Sequence, residues 1–293
     1  MTIAILGALV LDRYIILEDF PQDDTMVFSR HQFDALGGSG TNIAVNLAVH
    51  GVKPHLFCGI GQDEIGKQLL KELSVLEVKT HFTSRGVSCT TLVLLNKYGE
   101  RRIISLGGNA LYLDRHEKRY ENFGVICVAD SYPEEAYKAF NTKSKLKVYV
   151  PGGCGLYFGQ NAIKKIAGQA DITVLSKVEA DKIQEYEKIS QMVIVTQGKA
   201  PTRLFTEGSL RAELSVEQVK DVVDTTGAGD AFVSGLIYSL ASNSDIFQAI
   251  HLGHQWASKV IKKLGANLGI SPFREDELFE FRQAEDRKTN QDL

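Results

Sequence analysis

Short apolar runs alternate with amphipathic stretches along most of this 293-residue chain, and that rhythm leaves few folds open. Runs of strand character lie at 3–6, 55–60, 125–128, 147–150, 172–175 and 193–196. Stretches of helical period lie at 64–76, 133–140, 161–167, 228–240 and 246–264. A strand buried on both faces reads as a continuous apolar run, and parallel neighbours need a crossover helix between them. The pattern therefore predicts an α/β fold, a mostly parallel sheet with helices on both faces. Two regions, 12–34 and 89–106, break the rhythm and read as extended segments joined by turns, such as Asn96-Lys97-Tyr98-Gly99.

The segment DTTGAGDAF at 224–232 stands where the helical run at 228–240 begins. The first N–H groups of a helix lack partners inside it, and the helix dipole makes that end attractive to anions. Gly227, Ala228 and Gly229 would present such N–H groups, with the glycines allowing close approach of the backbone. Asp230 lies in the same first turn, where a carboxylate can take the proton of a hydroxyl attacking a phosphoryl group. An ordinary glycine-rich turn capped by Asp is the plainer reading of four residues alone. A second motif, GGSGTNIAVNLAVHG at 37–51, weighs against it. Its glycines again mark close backbone approach, Asn42 brings an amide that both donates and accepts, and residues 43–50 read as a short helix ended by Gly51.

Together these stretches resemble the signatures of the ribokinase-like (PfkB) carbohydrate and nucleoside kinase family. The first is similar to its GG-x-G-x-N-x-A pattern and the second to its D-T-x-G-A-G-D pattern. The stretch at 7–12, the segment Gly99-Glu100-Arg101-Arg102 followed by Gly108-Asn109, and Leu264-Gly265-Ala266 with Pro272 extend the resemblance over most of the chain. It implies one ribokinase-like domain over 1–293, a three-layer α/β/α body, with the segments at 12–34 and 89–106 forming a small β-sheet lid. Ile16 and Phe28, or Leu92 and Leu94, would supply the faces of that lid.

The resemblance also implies roles. Asp230 would be the general base and Gly227, Ala228 and Gly229 the anion hole for ATP. Asp12, Gly38, Asn42, Arg102 and Asn109 would hold the acceptor. On the nucleotide side, Val195-Thr196-Gln197-Gly198 resembles a T-x-G-x-x-G turn, with Thr196 and Gly198 near the phosphates. Pro201 replaces the second glycine, so the loop takes another shape. Ser176-Lys177-Val178-Glu179 aligns with an N-x-x-E motif: Glu179 would support Mg²⁺ through water, Ser176 replaces the asparagine, and Lys177 adds a cation. Asp224, with residues 266–269, is the candidate for the monovalent-cation (K⁺) loop of some relatives. A homodimer through the lid is implied as well.

The acceptor is left open. Ser39 stands where many ribokinases carry Lys, which weakens that particular assignment. Arg101 or Arg102 suits an anionic acceptor, although strand neighbours point to opposite faces. A small sugar or sugar derivative is the first reading. An adenosine-like nucleoside is the alternative, from a loose PG-x-G-L-x-x-F resemblance at 151–158 with Phe33, Tyr112 or Phe158 as stacking partners. A non-catalytic sugar- or nucleotide-binding regulator is a third.

Other phosphate motifs fit poorly. The stretch at 61–68 has Gln68 where a P-loop needs Ser or Thr, and Phe232 occupies the third glycine position of a dinucleotide fingerprint. The basic residues are scattered and the formal charge is −3, which argues against a nucleic-acid partner. Cys58, Cys89, Cys127 and Cys154 form no CxxC pair and read as reduced thiols, and no apolar run reaches the length of a membrane span. A cytoplasmic protein is expected.

Overall fold

A computed structural model describes residues 2–98, 100–113 and 119–269; the expectations attached to Gly99 and Pro272 lie outside these residues. Strands β1 (Ile3–Gly7), β2 (Val10–Ile16) and β3 (His31–Gly37) lead into helix α1 (Ser39–Val49). β4 (His55–Ile60), α2 (Glu64–Val75), β5 (Lys79–Ser84), β6 (Thr90–Leu95) and β7 (Arg101–Ser105) follow. Next come β8 (Val125–Ala129), α3 (Pro133–Asn141), β9 (Leu146–Val150), α4 (Gly152–Phe158), α5 (Gln160–Ala167), β10 (Ile172–Ser176) and α6 (Lys177–Ala180). The described chain closes with β11 (Met192–Gln197), β12 (Ala200–Thr206), β13 (Ser209–Leu214), α7 (Ala228–Ala241) and α8 (Ile246–Val260).

The large sheet has nine strands in the order β13-β12-β11-β10-β9-β8-β1-β4-β5. From β11 to β5 every pairing is parallel, and β12 and β13 add an antiparallel edge. Side chains alternate between its faces, as the period of two requires. Ile3, Ile5, Cys127 and Val174 pack with α1, α2, α7 and α8, whereas Ala4, Leu6, Ile126, Val128 and Leu175 pack with α3 and α5. The three-layer expectation holds, and the core is two sheets of contact rather than one.

A separate sheet, ordered β3-β2-β6-β7, is built from the two segments that break the alternation. Register places Asp12 opposite Ala35 and Thr91, and Leu95 opposite Arg101. Ile16 is buried in it, but Phe28 is 79% exposed and lies before β3, so it supplies no buried face.

Some elements escaped the pattern. The β12–β13 hairpin turns at Glu207-Gly208, both at positive φ, and β5 is a polar edge strand with no apolar run to read. α4 forms in a glycine-rich segment that propensity disfavours. α8 ends at Val260, four residues before the apolar pattern does, and Ile261 and Lys263 close it with single turns. No helix among the described residues is long and apolar enough to cross a membrane.

Candidate active site

Parallel sheets collect ligands outside the carboxyl ends of their strands, where the order of strands reverses. Here that place is the β1/β8 junction. β1 ends at Gly7, against which the first turn of α1 packs so closely that a Cβ on Gly7 would lie 2.6 Å from Gly40 Cα. Gly38 caps α1 at φ 92, with Ala8 O 2.4 Å from where a Cβ would be. That geometry demands glycine and aims the start of α1 at the site.

Asp230 enters from the first turn of α7 and is partly buried. Ser39 Oγ donates to its Oδ1 at 2.5 Å and Asn42 Nδ2 to its Oδ2 at 2.8 Å. Both donors lie on one face of α1, three residues apart. Burial raises the Asp230 pKa from 3.8 to about 7; the Ser39 and Asn42 bonds oppose that, and Asp130 and Glu179 add to it. The N–H groups of Gly227, Gly229 and Asp230 have no acceptor among the described residues. Ala228, expected in the hole, instead directs its N–H to Thr225 O at 3.4 Å, and the Asp230 N–H takes that place. The helix end is thus suited to an anion, directly beside a carboxylate.

Asp12, 7% exposed on β2, accepts no hydrogen bond among the described residues. Its pKa rises to about 7, mainly through burial and then through Asp230, with Asp224 adding to this and Arg101 opposing it. Arg101 Nη1 donates to Thr226 Oγ1 at 2.7 Å, and Thr226 Oγ1 donates to Asp224 Oδ1 at 2.5 Å. This path ties β7 to the loop ahead of α7.

Four expected residues sit differently. Arg102, one position on from Arg101, faces the other side of β7, its guanidinium 4.2 Å from the Phe20 ring centroid. Asn109 spends its amide on Ile60 O at 2.7 Å and Thr83 O at 3.1 Å, bracing β4 and β5. Asn42 is held between Asp230 and Asn267, whose Nδ2 donates to Asn42 Oδ1 at 3.0 Å. Asp224 is enclosed: Thr226 N and Oγ1 donate to one oxygen and Gly265 N to the other, so it acts here as a brace for the loop.

Of the residues expected on the nucleotide side, Ser176 and Glu179 form a capping box. Ser176 N donates to Glu179 Oε2 at 2.6 Å, and Glu179 N donates to Ser176 Oγ at 3.3 Å. The serine is therefore the natural cap of α6, and S-x-x-E was legible as such in the sequence. Glu179 keeps one oxygen without a partner among the described residues, whereas Lys177 is held by both oxygens of Asp181 at 3.0 Å. Thr196 Oγ1 donates to Leu175 O at 3.4 Å, and Gly198 turns at φ 61 between paired Gln197 and Ala200. Pro201 thus follows a tight hairpin, and Gln197 Nε2 fastens it by donating to Pro201 O at 2.7 Å.

Asp130 was missed. It follows β8 at φ 52, with the N–H groups of Ser39 and Cys154 directed at its carboxylate, and burial raises its pKa to about 6. Its signal was a polar residue at the carboxyl end of the 125–128 run.

Fold and site define the chain as ribokinase-like. The family described as pfkB family carbohydrate kinase matches residues 2–273, and the chain belongs to that family. Among characterised proteins it is 25% identical to the bifunctional protein HldE of Shewanella sediminis, over 90% of this chain and 61% of that protein. The chain thus spans about three fifths of the length of that relative. It is 22% identical to a ribokinase of Mus musculus, over 82% of this chain and 81% of that one. A nucleoside kinase of Methanocaldococcus jannaschii has the same fold, with a TM-score of 0.77 and 21% identity over 92% of this chain and 95% of that structure.

Proposed function

We propose that this protein transfers the γ-phosphoryl group of ATP to a hydroxyl of a small sugar, with Asp230 as general base. The observation that carries the reading is the juxtaposition at the start of α7. A partly buried carboxylate, oriented by two donors, adjoins three N–H groups that have no acceptor among the described residues. The acceptor oxygen forms a bond to the γ-phosphorus as the bond to the β-bridging oxygen breaks. Its proton passes to Asp230 late in a loose transition state, and ADP leaves. The N–H groups of Gly227, Gly229 and Asp230 stabilise the charge on the transferred group.

Mg²⁺ carried on the nucleotide would neutralise phosphate charge. Among the described residues no group of three or more His, Cys, Asp or Glu forms a metal cage, and the second oxygen of Glu179 suits a metal-bound water.

Asp12, Asp130 and Asp230 favour a neutral polyhydroxyl acceptor, since carboxylates accept from hydroxyls and repel anions. The nucleoside reading keeps less support. Phe33 is stacked on Tyr14 at 4.6 Å and Tyr112 lies in the core against Phe57, so both are taken up in packing. Phe158, beside the exposed Tyr157, remains as a base platform.

Purified protein with Mg-ATP, assayed for ADP release against sugars, phosphosugars, sugar acids and nucleosides, is expected to respond most to a neutral sugar. A dominant nucleoside signal would replace that acceptor class. Nucleotide binding with no turnover on any acceptor would favour a regulator.

The two arginines give an internal control. Arg101→Ala removes a charged hydrogen bond and a cation that acts on Asp12, so kcat/KM for the acceptor is expected to fall about tenfold. Arg102→Ala, on the opposite face, is expected to stay within about twofold. Equal losses in the two variants would remove Arg101 from the site.

A further inference from the structure

We propose that Asn267, on the loop after α8, is a positioning residue that fixes the orientation of the Asn42 amide and through it the state of Asp230. The inference rests on Asp230 being the base. Asn267 Nδ2 donates to Leu36 O at 3.1 Å and to Asn42 Oδ1 at 3.0 Å, and Gly269 N donates to Asn267 Oδ1 at 3.1 Å. A backbone N–H can only donate and a backbone carbonyl can only accept. Gly269 and Leu36 therefore fix which end of the Asn267 side chain is oxygen and which is nitrogen. That polarity is passed on. Asn42 must turn its oxygen to Asn267 and its NH₂ to Asp230, where it donates at 2.8 Å. The direction of the bond to the base is thus set by backbone groups at 36 and 269, far from it in sequence.

The loop has few other ways to lie. Gly265 N is held by Asp224 Oδ2 at 3.2 Å, Leu268 N by Asn46 Oδ1 at 2.9 Å, and Ala266 O lies against Gly227. The groups acting on Asp230 come from several elements: Ser39 and Asn42 on α1, Asp130 after β8 and Glu179 on α6. Asp12 on β2 and Cys127 on β8 are also coupled to it, while Arg101 on β7 and Asp224 ahead of α7 act on Asp12. Only Ser39 and Asn42 donate hydrogen bonds to its side chain among the described residues. Reversing one of two donors therefore has a large lever on the charged form.

Asn267→Asp keeps the shape and reverses the polarity. A carboxylate at 267 has no N–H, so Asn42 turns its NH₂ toward it and presents a carbonyl oxygen to Asp230. The charged form of the base is then disfavoured. The acid limb of kcat/KM against pH is expected to move up by about one unit, a roughly tenfold loss on the acid side of the limb that fades to within about twofold at alkaline pH. Asn267→Ala removes the donor without reversing it and is expected to move the limb in the same direction by less. A carbon NMR titration of aspartate-labelled protein, with the Asp230 resonance assigned by Asp230→Asn, is expected to show the same shift without any acceptor present.

An unmoved limb and an unmoved Asp230 midpoint in both variants would overturn the proposal, as would a loss that is uniform across pH. If wild type turns over no acceptor, the kinase reading fails, and the NMR titration still decides whether Asn267 governs Asp230. Should Asn267→Asp not fold, the alanine variant carries the same test.

Discussion

Asp230→Asn is expected to leave a folded protein with kcat lowered by about a hundred- to ten-thousandfold, the range for removal of a general base. Asn is close to isosteric here and can keep both contacts. Its oxygen can accept from Asn42 Nδ2 and its NH₂ can donate to Ser39 Oγ. What is lost is the ability to take a proton. The pH profile separates that loss from a structural one. With Asp230 raised to about 7, wild-type kcat/KM should climb with pH through that region and level off above it. Asp12 titrates in the same range and is coupled to Asp230, so the limb belongs to the pair. Removing the Asp230 charge lowers the Asp12 pKa, so any residual limb in the variant should lie on the acid side of the wild-type one.

Stability should move the other way. Between the ordinary value of 3.8 and the folded value of about 7, the native state holds a proton at 230 that the unfolded chain has released. Stability contributed by this group is therefore present at acid pH and lost as pH rises through the folded pKa. The Asn variant escapes that loss, so it should melt above wild type at about pH 8 and lose this advantage near pH 4. Turnover like wild type at any pH would remove Asp230 from the role of base.

The body of the fold was legible because its strands are buried on both faces. Residues such as 125–128 or 193–195 must be apolar at every position, and the helices between them must carry one apolar stripe. β5 and β13 carry no such demand, since edge strands with an exposed face need no continuous run. In the site, the legible residues are those whose chemistry is local. Gly38, Gly40 and Gly227 sit where helix starts meet other backbone, and Asp230 is legible from its place in the first turn. Arg101 and Arg102 could not be told apart until their contacts separated them, one reaching Thr226 and the other Phe20. Asn109 has its partners in β4 and β5, and Asp224 reaches residue 265 besides the nearby Thr226, distant contacts that no local pattern reveals. Asn267 belongs to the same class, meeting Asn42 across 225 positions of sequence.

Gly227→Ala is expected to damage both stability and turnover, whereas Gly229→Ala should damage turnover alone. Gly227 caps α7 at φ 73, a left-handed conformation, and an added Cβ would stand 1.8 Å from Ala266 O. The neighbour is backbone, so it cannot turn aside as a side chain would. Either the loop at 265–267 retreats, loosening its bonds to Asp224 and Asn42, or the first turn of α7 unwinds. Strain and displacement together are expected to cost on the order of 3 kcal/mol, read as a lowered denaturant midpoint. Either route misplaces the N–H groups proposed to face the transferred phosphoryl, so kcat/KM for ATP should fall at least about a hundredfold. Gly229, by contrast, has ordinary helical φ, and an added Cβ would meet nothing within 4 Å. Alanine there should stabilise α7 by up to about 1 kcal/mol. Its methyl group stands in the open space beside the Gly229 N–H, which has no acceptor among the described residues and is proposed to meet phosphate oxygens, so the KM for ATP should rise about tenfold. Unfolding and ATP-dependence curves on both variants therefore separate the two demands on glycine. If Gly229→Ala binds ATP as tightly as wild type, the phosphates do not lie over the first turn of α7. If Gly227→Ala melts with wild type, the contact with Ala266 does not hold the helix start in place.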